Sequence, residues 1–238
     1  MEIGQINPIY LYDLVQYQKL LKQRNHYLKQ LAEKKQTDEL YLDILTEQLV
    51  EFGSKIFIAR KHFVERLQHW ANQLHSQISQ GKEQLQLEYV ASIPLVDQMD
   101  LGAIQQQFTE ILAKNREKER FRQMTTVGPH RDDLFFLING KNVQTFGSQG
   151  QQRTTALSVR LAEIDLIYEE TGEYPILLLD DVMSELDDSR QLHLLKTIEG
   201  KVQTFLTTTT LEHLKHKMTL EPEIYYVQQG FIKGEKTE

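Results

Sequence analysis

The stretch Pro175-Ile176-Leu177-Leu178-Leu179-Asp180-Asp181, continuing to Ser184-Glu185-Leu186-Asp187-Asp188, constrains this chain more than any other. Four consecutive aliphatic residues between a proline and two carboxylates have no polar side, so they predict a strand buried on both faces, as in a parallel sheet. The acids fall at its carboxyl end, the edge at which open α/β sheets bind ligands. Successive strand side chains point to opposite faces, so Asp180 and Asp181 can divide two tasks. One can hold a cation while the other orients a water. Taken alone, the stretch also fits a buried strand running out into an acidic, solvated turn.

The flanking segments decide between these readings. A small, polar loop, Gly147-Ser148-Gln149-Gly150-Gln151-Gln152-Arg153, leads into a helical pattern through Leu157, Leu161, Ile164, Ile167 and Tyr168 that Gly172 closes. Free N–H groups and the helix dipole make such a loop an anion site, although a capped helix alone explains it too. After the acidic strand, a helix over Ser189 to Ile198 and a strand over Val202 to Leu206, ending in Thr207-Thr208-Thr209-Thr210, imply a parallel pair with a right-handed crossover. The tail predicts a hairpin around Gln229-Gly230.

The first half is helical. A seven-residue rhythm runs through Leu14, Tyr17, Leu21, Arg24, Leu28 and Leu31, with Asp13 available as a cap. A longer pattern runs through Leu42, Leu45, Leu49, Phe52, Ile56, Ala59, Phe63, Arg66 and Trp70. Its second stripe, Val50, Phe57, Val64, Leu67, Leu74 and Ile78, predicts a helix sandwiched between partners. The two helices read as an antiparallel hairpin. Leu85 to Val90 fits a short strand, and Leu101 to Leu112 another helix, which runs into the net basic segment Lys114 to Arg122. That segment is either a solvated face with paired charges or a surface for a nucleic-acid backbone. The composition changes near Gly128, so residues 1–125 read as a helical arm and 126–238 as an α/β body. There Gly128-Pro129-His130-Arg131-Asp132-Asp133 precedes a strand to Ile138, an Asn139-Gly140 turn and a strand over Lys141 to Phe146.

Composition removes several function classes. With no cysteine there is no disulfide framework, thiolate metal site or cysteine nucleophile. No apolar run reaches membrane-spanning length, and Met1-Glu2-Ile3-Gly4 does not open a signal peptide, so a soluble, cytoplasmic protein is expected. A net charge of −7 opposes wholesale coating of nucleic acid and confines any DNA contact to one region.

The ordered set of loop, acidic strand, Ser184-Glu185-Leu186-Asp187 turn and threonine-ended strand resembles the carboxyl-terminal half of an ABC-type, SMC-like ATPase head. Three strings are similar to the RecF family in particular: Gly128 to Asp133, Phe146 to Thr155, and Leu177 to Val182 with Ser184 to Asp187 after it. The resemblance implies an α/β fold, a partial ATPase head with a helical arm. It also implies ATP and Mg2+ as cofactors, an ATP-dependent homodimer, and action on single-stranded or gapped DNA with RecO and RecR to load RecA in replication, recombinational repair and the SOS response. By the same resemblance, Asp180 is the metal-holding aspartate and Asp181 stands where many relatives orient the attacking water. Ser148, Gln149, Gly150 and Gln151 match the signature loop, which reaches nucleotide on the other subunit. Asp187 matches the aspartate of the dimer seam, and Thr208 the switch position, where a hydroxyl can sense phosphate only by hydrogen bonding.

One part of the pattern does not match. No Gly-x-x-x-x-Gly-Lys-[Ser/Thr] string, which would cradle the phosphates, occurs in the 238 residues. The expectation is therefore a RecF-like chain without an amino-terminal lobe, inactive as an ATPase alone. Two other readings compete with it. One is a non-catalytic interaction module derived from such an ATPase, and the other a metal-dependent nuclease using Asp132, Asp133, Asp180 and Asp181.

Overall fold

Asn7 and Pro8 fix the start of the first long helix. The computed structural model describes residues 3–35, 38–95, 100–210 and 219–234. A single turn, α1 (Ile3–Ile6), leads into α2 (Pro8–Ala32), where the Asn7 side chain accepts the Tyr10 N–H at 3.0 Å. Pro8 sits at the first helical position, where a missing N–H costs nothing. The expected cap, Asp13, is instead buried within α2, and desolvation raises its pKa.

The buried seam of α2 is Tyr10, Asp13, Tyr17, Leu20, Arg24, Tyr27 and Leu31, alternating three- and four-residue steps. Of the expected rhythm, Tyr17, Arg24 and Leu31 lie in this seam and Leu28 is buried beside it, whereas Leu14 and Leu21 are only half-buried and Asp13 and Leu20 take their places. The pairing with α3 (Glu39–Ile78) is antiparallel. Tyr10 bonds Arg60, Tyr17 lies against Gly53, Arg24 bonds Thr46 and Tyr27 bonds Asp38, in descending order.

Both stripes of α3 are used. It packs on α2, on α4 (Leu101–Arg122) and on β1 (Leu85–Val90). Phe57 meets Phe108 of α4 edge-on, with ring centroids 5.4 Å apart. A Cβ at Gly53 would lie 2.7 Å from the Phe108 ring and 3.0 Å from the Tyr17 ring, so the three helices close on a position that tolerates no side chain. The outer edge of β1 is covered by α3: Gln68 bonds the Leu85 carbonyl at 2.8 Å and Asn72 accepts the Leu85 N–H at 3.1 Å. These side chains satisfy strand groups that would otherwise stay unpaired.

On its other side β1 pairs antiparallel with β2 (Asp133–Ile138), from Leu85↔Ile138 to Val90↔Asp133. Asn139 and Gly140, at φ 50° and 77°, turn β2 into β3 (Lys141–Asn142). The expected strand to Phe146 stops after these two residues. Asn142 accepts the N–H groups of Gln144 and Thr145 and starts a single helical turn, α5 (Val143–Phe146).

The chain forms two compact units, divided between Leu166 and Ile167 inside α6 (Gln149–Thr171). The compositional change at Gly128 does not coincide with that division, because the β1–β2 ladder joins residues on either side of it. In the second unit β4 (Leu177–Asp180) pairs parallel with β5 (Thr204–Thr207), and α7 (Asp188–Ile198) lies between them in the chain. Leu194, Leu195 and Ile198 of α7 are buried. Leu178 is 73% exposed, so β4 is not buried on both faces as its sequence predicts. A hairpin of β6 (Tyr225–Gln228) and β7 (Phe231–Gly234) ends the described residues. No helix among them is long and apolar enough to cross a membrane.

Candidate nucleotide site

In the second unit, the parallel register places Asp180 opposite Thr207. The Thr207 hydroxyl donates to Asp180 Oδ1 at 2.6 Å and accepts the Asp181 N–H at 3.0 Å. One side chain thus orients the first carboxylate and holds the backbone of the second. Asp181 takes φ 49°, a left-handed conformation that aspartate tolerates better than most residues. The chain then enters a 3-10 turn over Val182–Glu185. Gln191 of α7 ties down that turn by donating to the Met183 and Leu186 carbonyls.

Asp187 caps α7, accepting the Arg190 N–H at 2.9 Å and pairing with the Arg190 guanidinium. Its carboxylate therefore has a structural duty. Thr208 bonds within its own turn, donating to the Thr210 carbonyl and accepting the Thr210 N–H. The hydroxyl that meets the acids belongs to Thr207, which sequence reasoning passed over. In a run of four threonines only the strand register distinguishes it.

In the first unit, Ser148 and Gln151 form a reciprocal cap at the start of α6. Ser148 Oγ accepts the Gln151 N–H at 3.2 Å, and Gln151 Oε1 accepts the Ser148 N–H at 2.9 Å. This is the Ser-x-x-Gln capping box, which fixes the first turn of a helix. Gln149 and Gly150 lie within that turn, so the loop ends in an ordered helix start, a place that suits a negative group. Gln151 Nε2 also donates to Glu83 Oε1 at 2.9 Å.

The Gly128 to Asp133 string has a different use. The buried Asp132 carboxylate pairs with Arg60 at 3.1 Å, accepts the Ser92 N–H at 2.8 Å and receives the Tyr89 hydroxyl. His130 Nδ1 lies 2.7 Å from the Tyr17 hydroxyl, and its Nε2 lies 3.2 Å from the Thr125 carbonyl. Burial pushes the Tyr17 and Tyr89 pKa values up and that of His130 down, so all three stay neutral. A Cβ at Gly128 would strike the Tyr17 hydroxyl, and its φ of 137° favours glycine as well. Asp132 is thus consumed by a structural network, which removes it from a metal-dependent nuclease site. Among the described residues, no three His, Asp or Glu side chains gather to hold a metal.

The basic segment of α4 is likewise partly committed. Arg116 pairs with Asp43 at 2.6 Å and with Glu39 at 2.7 Å, and Arg120 pairs with Glu39 at 2.9 Å. These pairs supply the charge matching that the sequence left open.

Comparison with known proteins places the chain. No family model matches it. It is 67% identical over 235 residues to the DNA replication and repair protein RecF of Enterococcus faecalis, matching 98% of this chain. It is 56% identical over 232 residues to the protein of the same description from Bacillus subtilis. The chain belongs to the RecF family. It spans 62% of the Enterococcus faecalis protein and 63% of the Bacillus subtilis one. A solved structure of the recombination mediator protein RecF-ATPrS in the RecFOR pathway superposes with a TM-score of 0.87 at 36% identity, covering 98% of this chain and 60% of that one. The structure of RecF-ATP gives a TM-score of 0.86 over the same shares. The partial ATPase-head fold with a helical arm, implied by the motifs, is thus the fold of RecF over these residues.

Proposed function

We propose that this chain supplies one part of a composite ATP site in a RecF-type recombination mediator that acts in DNA replication, recombinational repair and the SOS response. The observation that carries the proposal is the carboxyl end of β4, where Thr207 holds Asp180 and Asp181 at the ligand-binding edge of a parallel strand pair. Asp180 suits Mg2+, a hard cation that takes one or two carboxylates together with phosphate oxygens. The bound ion would neutralise phosphate charge. Asp181 is the residue assigned to orient the attacking water. Ser148, Gln149, Gly150 and Gln151 form the signature loop that meets nucleotide on a second subunit, Asp187 borders that seam, and Thr208 is the switch position.

On this reading residues 1–125 are the arm and 126–238 the carboxyl-terminal half of the head. The working assembly is an ATP-dependent dimer in the cytoplasm, on single-stranded or gapped DNA, with RecO and RecR as partners in loading RecA. Residues 1–166 carry as many basic as acidic side chains, so the whole net charge of −7 falls on residues 167–238. DNA contact accordingly belongs to the first unit.

Phosphoryl transfer needs a lysine and loop amides around the phosphates, and the 238 residues contain no such string. The purified chain should therefore hydrolyse no ATP. Mixed with the full-length Enterococcus faecalis relative, ATP and Mg2+, it should form a heterodimer in sedimentation that disappears without nucleotide and on Ser148→Arg. Robust ATP turnover by the chain alone, or association indifferent to nucleotide, would overturn the proposal.

A further inference from the structure

The Ser148–Gln151 loop is connected to the arm by a chain of hydrogen bonds that no sequence pattern reveals. Gln151 Nε2 donates to Glu83 Oε1 at 2.9 Å, and Glu83 Oε2 lies 3.0 Å from Nε2 of His75. His75, in the last turn of α3, is fully buried, and its Nδ1 lies 3.3 Å from the buried Ser158 hydroxyl of α6. Ser158 donates to the Thr154 carbonyl at 2.7 Å, and Thr154 donates to the Gly150 carbonyl at 2.8 Å. The path leaves the loop at Gln151, passes through the end of α3, and returns to the loop at Gly150. It lies wholly within the first unit.

The geometry points to Glu83 as a positioning residue that couples the end of the arm helix to the signature loop. The chemistry of the groups explains the choice of a carboxylate. The Gln151 amide has one oxygen and one NH2, and the capping box uses the oxygen to hold the Ser148 N–H. Only an acceptor can then take the NH2 and keep the amide from flipping. Glu83 provides that acceptor with one oxygen, while the other anchors to a buried imidazole on α3. A displacement of the α3 end, such as an arm-bound partner would cause, moves Glu83 and with it the amide that closes the cap. The functional consequence rests on reading Ser148 to Gln151 as the signature loop, whereas the mechanical coupling does not.

The test is amide hydrogen exchange, read residue by residue, on the full 238-residue chain. Glu83→Ala should speed exchange at Ser148 and Gln151 at least tenfold. Glu83→Gln should stay within about twofold of the original: its amide accepts from Gln151 and donates to His75, whose remaining proton then goes to Ser158. Gln151→Glu should open the cap, because two carboxylates then face each other. Combining Gln151→Glu with Glu83→Gln should restore slow exchange, since a donor and an acceptor again meet. A merely structural role for Glu83 does not predict that rescue. Unchanged exchange in Glu83→Ala, or a double variant as fast as Gln151→Glu, would overturn the inference. None of these measurements uses nucleotide, so a failure of the signature reading, seen as pairing indifferent to ATP, is a separate result.

Discussion

Asp181 concentrates the local cost of the candidate site in one backbone conformation. At φ 49° it occupies a region that costs most non-glycine residues about 1–2 kcal/mol, and Asn and Asp less. This separates fold from chemistry in a mutant. Asp181→Asn keeps the left-handed preference and removes only the charge, so urea unfolding should give a stability within about 0.5 kcal/mol of the original. Asp181→Val, branched at Cβ, should lose roughly 1–2 kcal/mol in the same measurement. Equal losses in the two variants would show that the conformation is not what constrains this position. The two acids were legible in the sequence because they end an aliphatic strand. Thr207, Glu83 and His75 were not, since their roles come from strand register and from contacts between residues distant in the chain.

At the level of elements, α2 and α3 show which patterns a sequence displays and which it hides. The two-sided pattern of α3 was readable because nearly all of its buried positions are apolar. The seam of α2 contains the polar Asp13, so a rhythm started on the apolar Leu14 takes Leu14 and Leu21 in place of Asp13 and Leu20, although its other four positions are buried. Arg24 is 2% exposed and pairs with the buried Glu119 of α4 at 2.8 Å, and it also donates to Thr125 and Thr46. Glu119 Oε1 in turn accepts the Thr126 N–H at 2.6 Å. These bonds clamp the segment after α4 to α2 and to α4 itself, and Arg24 ties that cluster to α3. Removing one partner leaves the other charge buried and alone, which costs about 3–5 kcal/mol. Arg24→Ala should therefore lower the stability of the chain by about that amount in urea unfolding. A loss below about 1 kcal/mol, the range of exposed ion pairs, would show that the clamp is not closed in solution.

Across the whole molecule, three wholly or partly buried histidines tie stability to pH in one direction. Burial lowers the pKa of His75, His130 and His193, and His193 Nε2 has no hydrogen-bond partner among the described residues. Neutral His130 is fully satisfied: one ring nitrogen accepts the Tyr17 hydroxyl and the other donates to the Thr125 carbonyl. A second proton would displace the tyrosine proton. Above about pH 6.5 these histidines are neutral in both folded and unfolded chains and contribute no pH dependence. Below it the unfolded chain takes up protons first, so stability falls as pH drops from about 6.5 toward the lowered folded values. Asp13 acts in the opposite sense, because its raised pKa lets the folded chain bind a proton earlier. The urea midpoint should accordingly be level between about pH 7.5 and 8.5 and lower at about pH 5.5. His130→Gln isolates one contributor, since its amide can accept from Tyr17 and donate to Thr125 without titrating. Its midpoint should fall less between about pH 7.5 and about pH 5.5 than that of the original chain. An unchanged drop would show that His130 is not held neutral by this network.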